Sequence, residues 1–253
     1  MIRAITFDLW DTVFIDDSDE PKRKAAGRPS KPLERRQLVK KYLDKYEPVT
    51  AEIVTAVYDT VDAAFKKVWY EEHNTWKVKE RLELVLKGLG RSLPEEDLKE
   101  LVRLHEEMEL EFRPDFAGGV HKAIQSLHEK YKLAVISDAI FSPGRALRNI
   151  LEGEGLLKYF DVFIFSDEIG RSKPEASVFQ AACNSLGVEC GEVIHIGDRE
   201  HNDIRGPKRL GMQSVLCKAV LDRSEGPTQA AASFDNYEDL PAVIENLNNR
   251  TVS

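Results

Sequence analysis

Long apolar runs are missing from this 253-residue chain. Nothing in it approaches the roughly 20 consecutive apolar residues that a membrane-crossing helix requires. Signal-peptide and lipidation patterns are absent too, so the expectation is a cytoplasmic protein with no membrane partner. Cysteine is scarce: Cys183, Cys190 and Cys217 are the three present, and no two form a CxxC pair. An odd number without such a pair suits a reduced compartment and argues against a zinc site. An excess of basic charge is also missing. With 44 Asp and Glu against 36 Lys and Arg, the formal net charge is -8. Duplex nucleic acid is therefore not the expected partner, because neutralising phosphates takes a basic face. A small phosphorylated ligand, held by local geometry, remains compatible with that charge. No internal repeat is present.

What is there is the profile of a well-charged globule, 42% apolar and 32% charged, long enough for one large domain or a core with a smaller companion. Ile2, Ala4, Ile5 and Phe7 form an apolar run that reads as a buried strand ending at Asp8. Residues 16 to 36 turn from acidic to basic, hold three prolines and show no apolar period. They predict a long polar loop over 16–32. Helical spacing follows at Leu38, Val39, Tyr42, Leu43 and Tyr46. Thr50 is placed to cap a helix reaching about His73, and another helix spans about Trp76 to Leu89. Ser92 and Glu95 have the spacing of a capping box for a helix to about Phe112.

From Pro114 the pattern changes to alternation. Helix 118–129 leads into KLAVISD, a strand ending at Ser137 and Asp138. DVFIFSD, EVIHIGD and MQSVLC read as further strands. Helices are expected from about Pro143, over 174–186, over 202–211 and over 240–247. Such alternation predicts an α/β fold, a parallel sheet covered by helices on both faces. Two parts emerge: an α/β core from residues 1–14 and 114–253, and an all-helical insertion over 15–113 after the first strand.

Open parallel sheets bind ligands at the C-terminal ends of their strands. Here those ends carry Asp8, then Ser137 with Asp138, then Gly197 with Asp198, and Asp203 on the loop beyond. Lys173 precedes a proline that is expected to begin a helix, where an ammonium and a helix N-terminus would both attract an anion. The inventory is a carboxylate nucleophile, a hydroxyl donor, a cation and two further carboxylates able to hold Mg²⁺. Phosphoryl transfer uses that combination.

In their order and spacing these motifs resemble the haloacid dehalogenase-like (HAD) hydrolase superfamily: Asp8-Leu-Trp-Asp-Thr12, Ser137-Asp138, Lys173-Pro174, and Gly197-Asp198 with four residues before Asp203. The resemblance implies a Rossmann-like core and places the helical insertion where the superfamily carries its type C1 cap. It further implies that Asp8 attacks phosphorus and forms an aspartyl-phosphate. Mg²⁺ would be held by Asp8, Asp198 and the backbone carbonyl of Trp10, with Asp203 close by. Ser137 and the amide of Asp138 would bind phosphoryl oxygens, and Lys173 would neutralise charge and orient Asp8. The implied partner is a small phosphorylated metabolite, with a monomer or homodimer equally compatible.

One position departs from the pattern. Superfamily phosphatases usually carry a second aspartate two residues after the nucleophile, as acid and then base. Trp10 stands there instead, and Asp11 replaces the usual glycine. Losing such a group typically costs about 10²- to 10⁴-fold in rate. Asp11 has two readings, a substitute acid or a loop aspartate bonding nearby amides. Trp10 also leaves two rival functions open, namely haloacid dehalogenation, where halide needs no proton, and phospho-ligand binding with little turnover. Asp198 and Asp203 weigh against the first, since extra negative charge disfavours a carboxylate substrate. The basic run Lys22, Arg23, Lys24, Arg28, Lys31, Arg35 and Arg36 reads as solvated charge. Trp69, Tyr70 and Trp76 read as core, and His195 as a packed core histidine.

Overall fold

A computed structural model describes residues 1–223 and 226–252. Six strands form one sheet: β1 (Ala4–Phe7), β2 (Lys132–Ser137), β3 (Val162–Phe165), β4 (Val193–Gly197), β5 (Gln213–Cys217) and β6 (Ala232–Phe234). Their order is β3-β2-β1-β4-β5-β6, and every neighbouring pair is parallel. The α/β architecture with its parallel sheet is thus the one the alternation predicts.

Side chains alternate across the sheet as strand pleating demands. Ile5, Phe7, Leu133, Val135, Ile194 and Ile196 enter one apolar cluster. Ala4, Ala134, Ile136, Ile164 and Val193 enter the other. The inner strands β1, β2, β4 and β5 are buried on both faces, which is why each reads as a near-continuous apolar run.

Between β1 and β2 lie α1 (Glu20–Ala25), α2 (Lys31–Leu43), α3 (Ala51–Glu72), α4 (Val78–Gly88), α5 (Glu95–Glu106), α6 (Met108–Glu111) and α7 (Val120–His128). The later helices are α8 (Gly144–Gly153), α9 (Ser166–Ile169), α10 (Ala176–Leu186), α11 (Gly206–Lys208) and α12 (Leu240–Val252). Helices α7, α8 and α12 cover the first face of the sheet, and α10 covers the second. Helices α2 to α5 close a third apolar cluster around Val39, Tyr42, Val54, Leu82 and Leu101. Among the described residues no helix is long and apolar enough to cross a membrane.

Several sequence expectations are corrected. The polar stretch 16–32 is not one loop, since α1 occupies Glu20–Ala25 with Pro21 in its first turn. Of the basic run, Lys22 and Lys24 are exposed as expected, but three members are not solvated. Arg23 is wholly buried and pairs with Glu34, and Lys31 and Arg35 are both buried. An ion-paired interior leaves no apolar period to read. The Ser92 capping box does not form, because α5 starts at Glu95 directly after Pro94 with no side-chain cap. The helix expected over 202–211 is a π-helical turn, Glu200–Arg205, followed by the short α11. Helix α10 begins at Ala176, two residues beyond Pro174, and the Lys173–Pro174 bond is cis. Thr50 does cap α3, its hydroxyl accepting the Ile53 amide at 3.4 Å.

Candidate active site

The chain leaves β1 for the β2–β3 side of the sheet and returns to β4 on the other. Strand order therefore reverses between β1 and β4, and a crevice opens beyond their C-terminal ends. Asp8 ends β1 there, still tied to β4 through its amide, which donates to the Ile196 carbonyl at 2.9 Å. Asp198 follows β4 directly. Both carboxylates are buried, as is Asp203.

Asp203 comes from the π-helical turn and folds back onto β4. A Cβ at Gly197 would lie 2.4 Å from the Asp203 Cγ, so glycine is required for that approach. Such π-turns occur often at functional sites. Asp203 Oδ1 receives Lys173 Nζ at 2.6 Å and His195 Nε2 at 3.2 Å, while Oδ2 accepts the Arg199 amide at 2.9 Å. Burial opposes its charge, but the Lys173 and His195 contacts outweigh burial and hold its carboxyl well below the usual range. With Nε2–H given to Asp203, His195 Nδ1 accepts from the Thr6 hydroxyl at 2.8 Å. His195 is a core residue, as expected, but it also orients Asp203.

Lys173 Nζ also lies 2.8 Å from Asp8 Oδ1. Burial opposes its charge too, yet Asp203 and Asp8 keep the ammonium protonated. Its backbone amide donates to Asp138 Oδ1 at 3.1 Å. Enclosure by protein pushes the Asp138 carboxyl up to about 7, against the pull of Lys173. Lys173 thus gains its anchorage from carboxylates on two strand ends and the π-helical turn rather than from a helix terminus.

The donor set suits a hard divalent cation. Asp8, Asp198 and Asp203 present oxygens that all lie within 4.8 Å of one another. Asp198 Oδ1 is buried without a hydrogen-bond partner among the described residues, and so is Ser137 Oγ at the end of β2. Orphaned buried oxygens of this kind call for a partner, and all-oxygen ligation is what Mg²⁺ prefers.

A cavity of about 240 Å³ opens over Asp8, with Trp10, Asp138 and Lys173 in its walls. The helical block contributes Lys31, Arg35, Trp69 and Glu109 to the same cavity. Trp69 therefore faces the cavity as well as the block's interior. Asp11 is elsewhere. It adopts a left-handed φ of 51°. Its Oδ1 accepts the Asp16 amide at 3.1 Å and its Oδ2 pairs with the Arg223 guanidinium. It is not among the described residues lining the cavity. Arg223 also donates to Asp198 Oδ2 at 2.6 Å. Sequence reasoning missed this bridge, because Arg223 sits in a polar stretch beyond β5 with no local mark of its role.

A family model described as "haloacid dehalogenase-like hydrolase" matches residues 2–211. The chain is 32% identical over 134 residues to a glyceraldehyde 3-phosphate phosphatase of Pyrococcus abyssi. That match covers 51% of this chain and 55% of the relative, so the chain spans about half the length of the relative it resembles. Two solved structures share the fold. A HAD phosphatase from Thermococcus onnurineus superposes with TM-score 0.65 at 20% identity, covering 96% of this chain and 98% of that one. A 2-haloacid dehalogenase from Pseudomonas syringae pv. Tomato superposes with TM-score 0.68 at 20% identity, covering 98% and 100%. With its sheet, its strand-end motifs and a family match across most of its length, this chain belongs to the haloacid dehalogenase-like hydrolases.

Proposed function

We propose that the chain is a Mg²⁺-dependent phosphatase acting on a small phosphorylated metabolite through a phosphoenzyme on Asp8. The observation that carries this reading is the buried cluster at the β1–β4 crevice: Lys173 within 2.8 Å of Asp8, beside Asp198 and Asp203. Three carboxylates around one lysine leave net negative charge that a divalent cation balances. The same charge disfavours a halogenated carboxylate in a site without metal. The phosphatase name of the Pyrococcus abyssi relative supports the same reaction class.

In this reading Asp8 forms a bond to phosphorus as the ester oxygen leaves, and water then cleaves the acyl phosphate. Lys173 orients Asp8 and offsets charge on the phosphoryl oxygens, while Ser137 Oγ and the Asp138 amide donate to them. Asp8, Asp198 and the Trp10 carbonyl would hold Mg²⁺, and Asp203 would set Lys173 and the turn behind them. The ion supplies positive charge that stabilises the transferring phosphoryl group. The helices between β1 and β2 act as a C1-type cap over 15–113, closing the cavity above a core of 1–14 and 114–253.

The test is phosphate release from p-nitrophenyl phosphate with and without Mg²⁺, for wild type and Asp8→Asn. Wild type is expected to turn over only with Mg²⁺. Asp8→Asn is expected to lose about 10⁴-fold or more, as removal of a covalent nucleophile does. Release that persists in Asp8→Asn, or without any divalent ion, would overturn the reading.

A further inference from the structure

Breaking a phosphate ester leaves an oxygen that must take a proton, and the water that clears the phosphoenzyme must lose one. At position 10 the half-buried Trp10 offers no group for either step. Asp11 is committed to Arg223 and to a backbone amide, outside the cavity. Five carboxylates line the cavity among the described residues: Asp8, Asp16, Asp17, Glu109 and Asp138.

Four of these are already engaged. Asp8 is bound to Lys173. Asp138 holds the Lys173 amide. Asp17 lies 3.2 Å from Lys31 Nζ. Glu109 lies 3.3 Å from the same ammonium and accepts the Ser142 hydroxyl. Asp16 differs from all of them. Its Oδ1 takes the Asp17 amide at 2.9 Å, and among the described residues it makes no ion pair.

The backbone brings Asp16 to this place. The Leu9 carbonyl accepts amides from Thr12, Val13 and Phe14, so the chain turns back sharply after Trp10. The Ile15 amide then donates to the Asp115 carbonyl at 2.8 Å, and the Asp16 amide is pinned by Asp11. That pin gives Asp11 a positioning role. Asp16 is solvent-exposed and lines the cavity. Surrounding protein nevertheless desolvates it, and with the charges of Asp17 and Asp11 this raises its carboxyl against the pull of Lys31. A raised carboxyl spends more time as the acid.

We propose that Asp16 is the general acid and base of this site. This assignment rests on the phosphatase reading. As the bond from Asp8 to phosphorus forms and the ester bond breaks, the leaving oxygen takes the Asp16 proton. As water bonds to phosphorus and the bond to Asp8 breaks, the water proton returns to Asp16.

Leaving groups of different basicity test it. Nitrophenolate leaves without a proton, whereas the alkoxide of glycerol 2-phosphate does not. Single-turnover phosphorylation of Asp16→Asn should stay near wild type with p-nitrophenyl phosphate and fall about 10²- to 10⁴-fold with glycerol 2-phosphate. Its steady state with p-nitrophenyl phosphate should follow a burst equal to the enzyme present, because dephosphorylation has lost its base. Asp16→Glu should recover part of the alkyl ester rate. Asp11→Asn, which loosens the anchor of Asp16, should show the same leaving-group split at smaller size. Equal losses on both substrates in Asp16→Asn, no loss at all, or a leaving-group split larger at Asp11 than at Asp16 would overturn the assignment while leaving the phosphatase reading intact. A wild type that releases no phosphate from any ester with Mg²⁺ would overturn both.

Discussion

The sheet and the helical block each have a buried interior, but they are held together by different chemistry. The sheet sinks apolar side chains on both faces, and the carboxylates and hydroxyl of the candidate site gather at and beyond the C-terminal ends of its strands. The block has its own apolar cluster, yet its interior and its contact with the segment beyond β2 also hold buried charge. Arg23 pairs with Glu34, and Lys31 reaches Asp19 at 2.8 Å. Arg35 and Arg81 lie 3.5 Å and 4.0 Å from the centre of the Phe141 ring, just beyond β2. Arg81 also donates to the Ile140 carbonyl at 3.0 Å. Apolar packing contributes wherever it occurs. A buried ion pair contributes little net stability, but each partner becomes costly once the other is gone. One region is therefore stabilised by its residues singly, and the other by its residues in pairs.

Substitutions can break that contrast. Phe7→Ala, at a fully buried position of β1, should cost about 3–5 kcal/mol in urea unfolding, from lost transfer energy and the cavity left behind. Arg23→Met should cost about 3 kcal/mol, at the low end for a broken buried pair, because Arg28 still reaches Glu34. The double variant Arg23→Met with Glu34→Leu should return to near the stability of wild type. No partner substitution should restore Phe7→Ala in that way. A double variant as unstable as the single would show that the block's buried charge is not organised in pairs.

The same difference decided what the sequence could reveal. Strands buried on both faces read directly as apolar runs, so five strands and their terminal residues were legible. The sixth, Ala232–Phe234, escaped because it has three residues at the sheet edge and no such run. Helix α1 escaped because its buried face is Arg23, a residue that looks solvated in sequence. At the site, Asp8, Ser137, Asp138, Lys173, Asp198 and Asp203 were legible because strand ends and ordered spacing mark them. Asp16 was not, since nothing local separates it from Asp17 or Asp19. Its place is fixed by the turn at Asp11 and by the hydrogen bond its amide donates to the Asp11 carboxylate, which spacing does not encode. Arg223 depends likewise on a contact with Asp11 that spans 212 positions.

His105 offers a finer probe of how dry the block is. It lies on α5, wholly buried, with Nδ1 2.8 Å from the Leu101 carbonyl. Its Nε2 has no partner among the described residues. Burial, with Arg35 and Arg81 close by, pushes its pKa down to about 3. Unfolded, the same ring takes a proton near pH 6.5. Between those values the unfolded chain binds more protons, so stability must fall as pH falls through this window. At full slope the loss is about 1.4 kcal/mol per unit, and from pH 7 to pH 5 it integrates to about 2 kcal/mol. His105→Leu removes this contribution and leaves every other titration in place. Urea unfolding of wild type and variant at both pH values should therefore show their stability difference shifting by about 2 kcal/mol in favour of the variant on acidification. If the two proteins lose stability in parallel, water reaches Nε2 in the folded state. The block's interior would then be wetter than the sheet's, and its buried charges would be paired less tightly than their contacts imply.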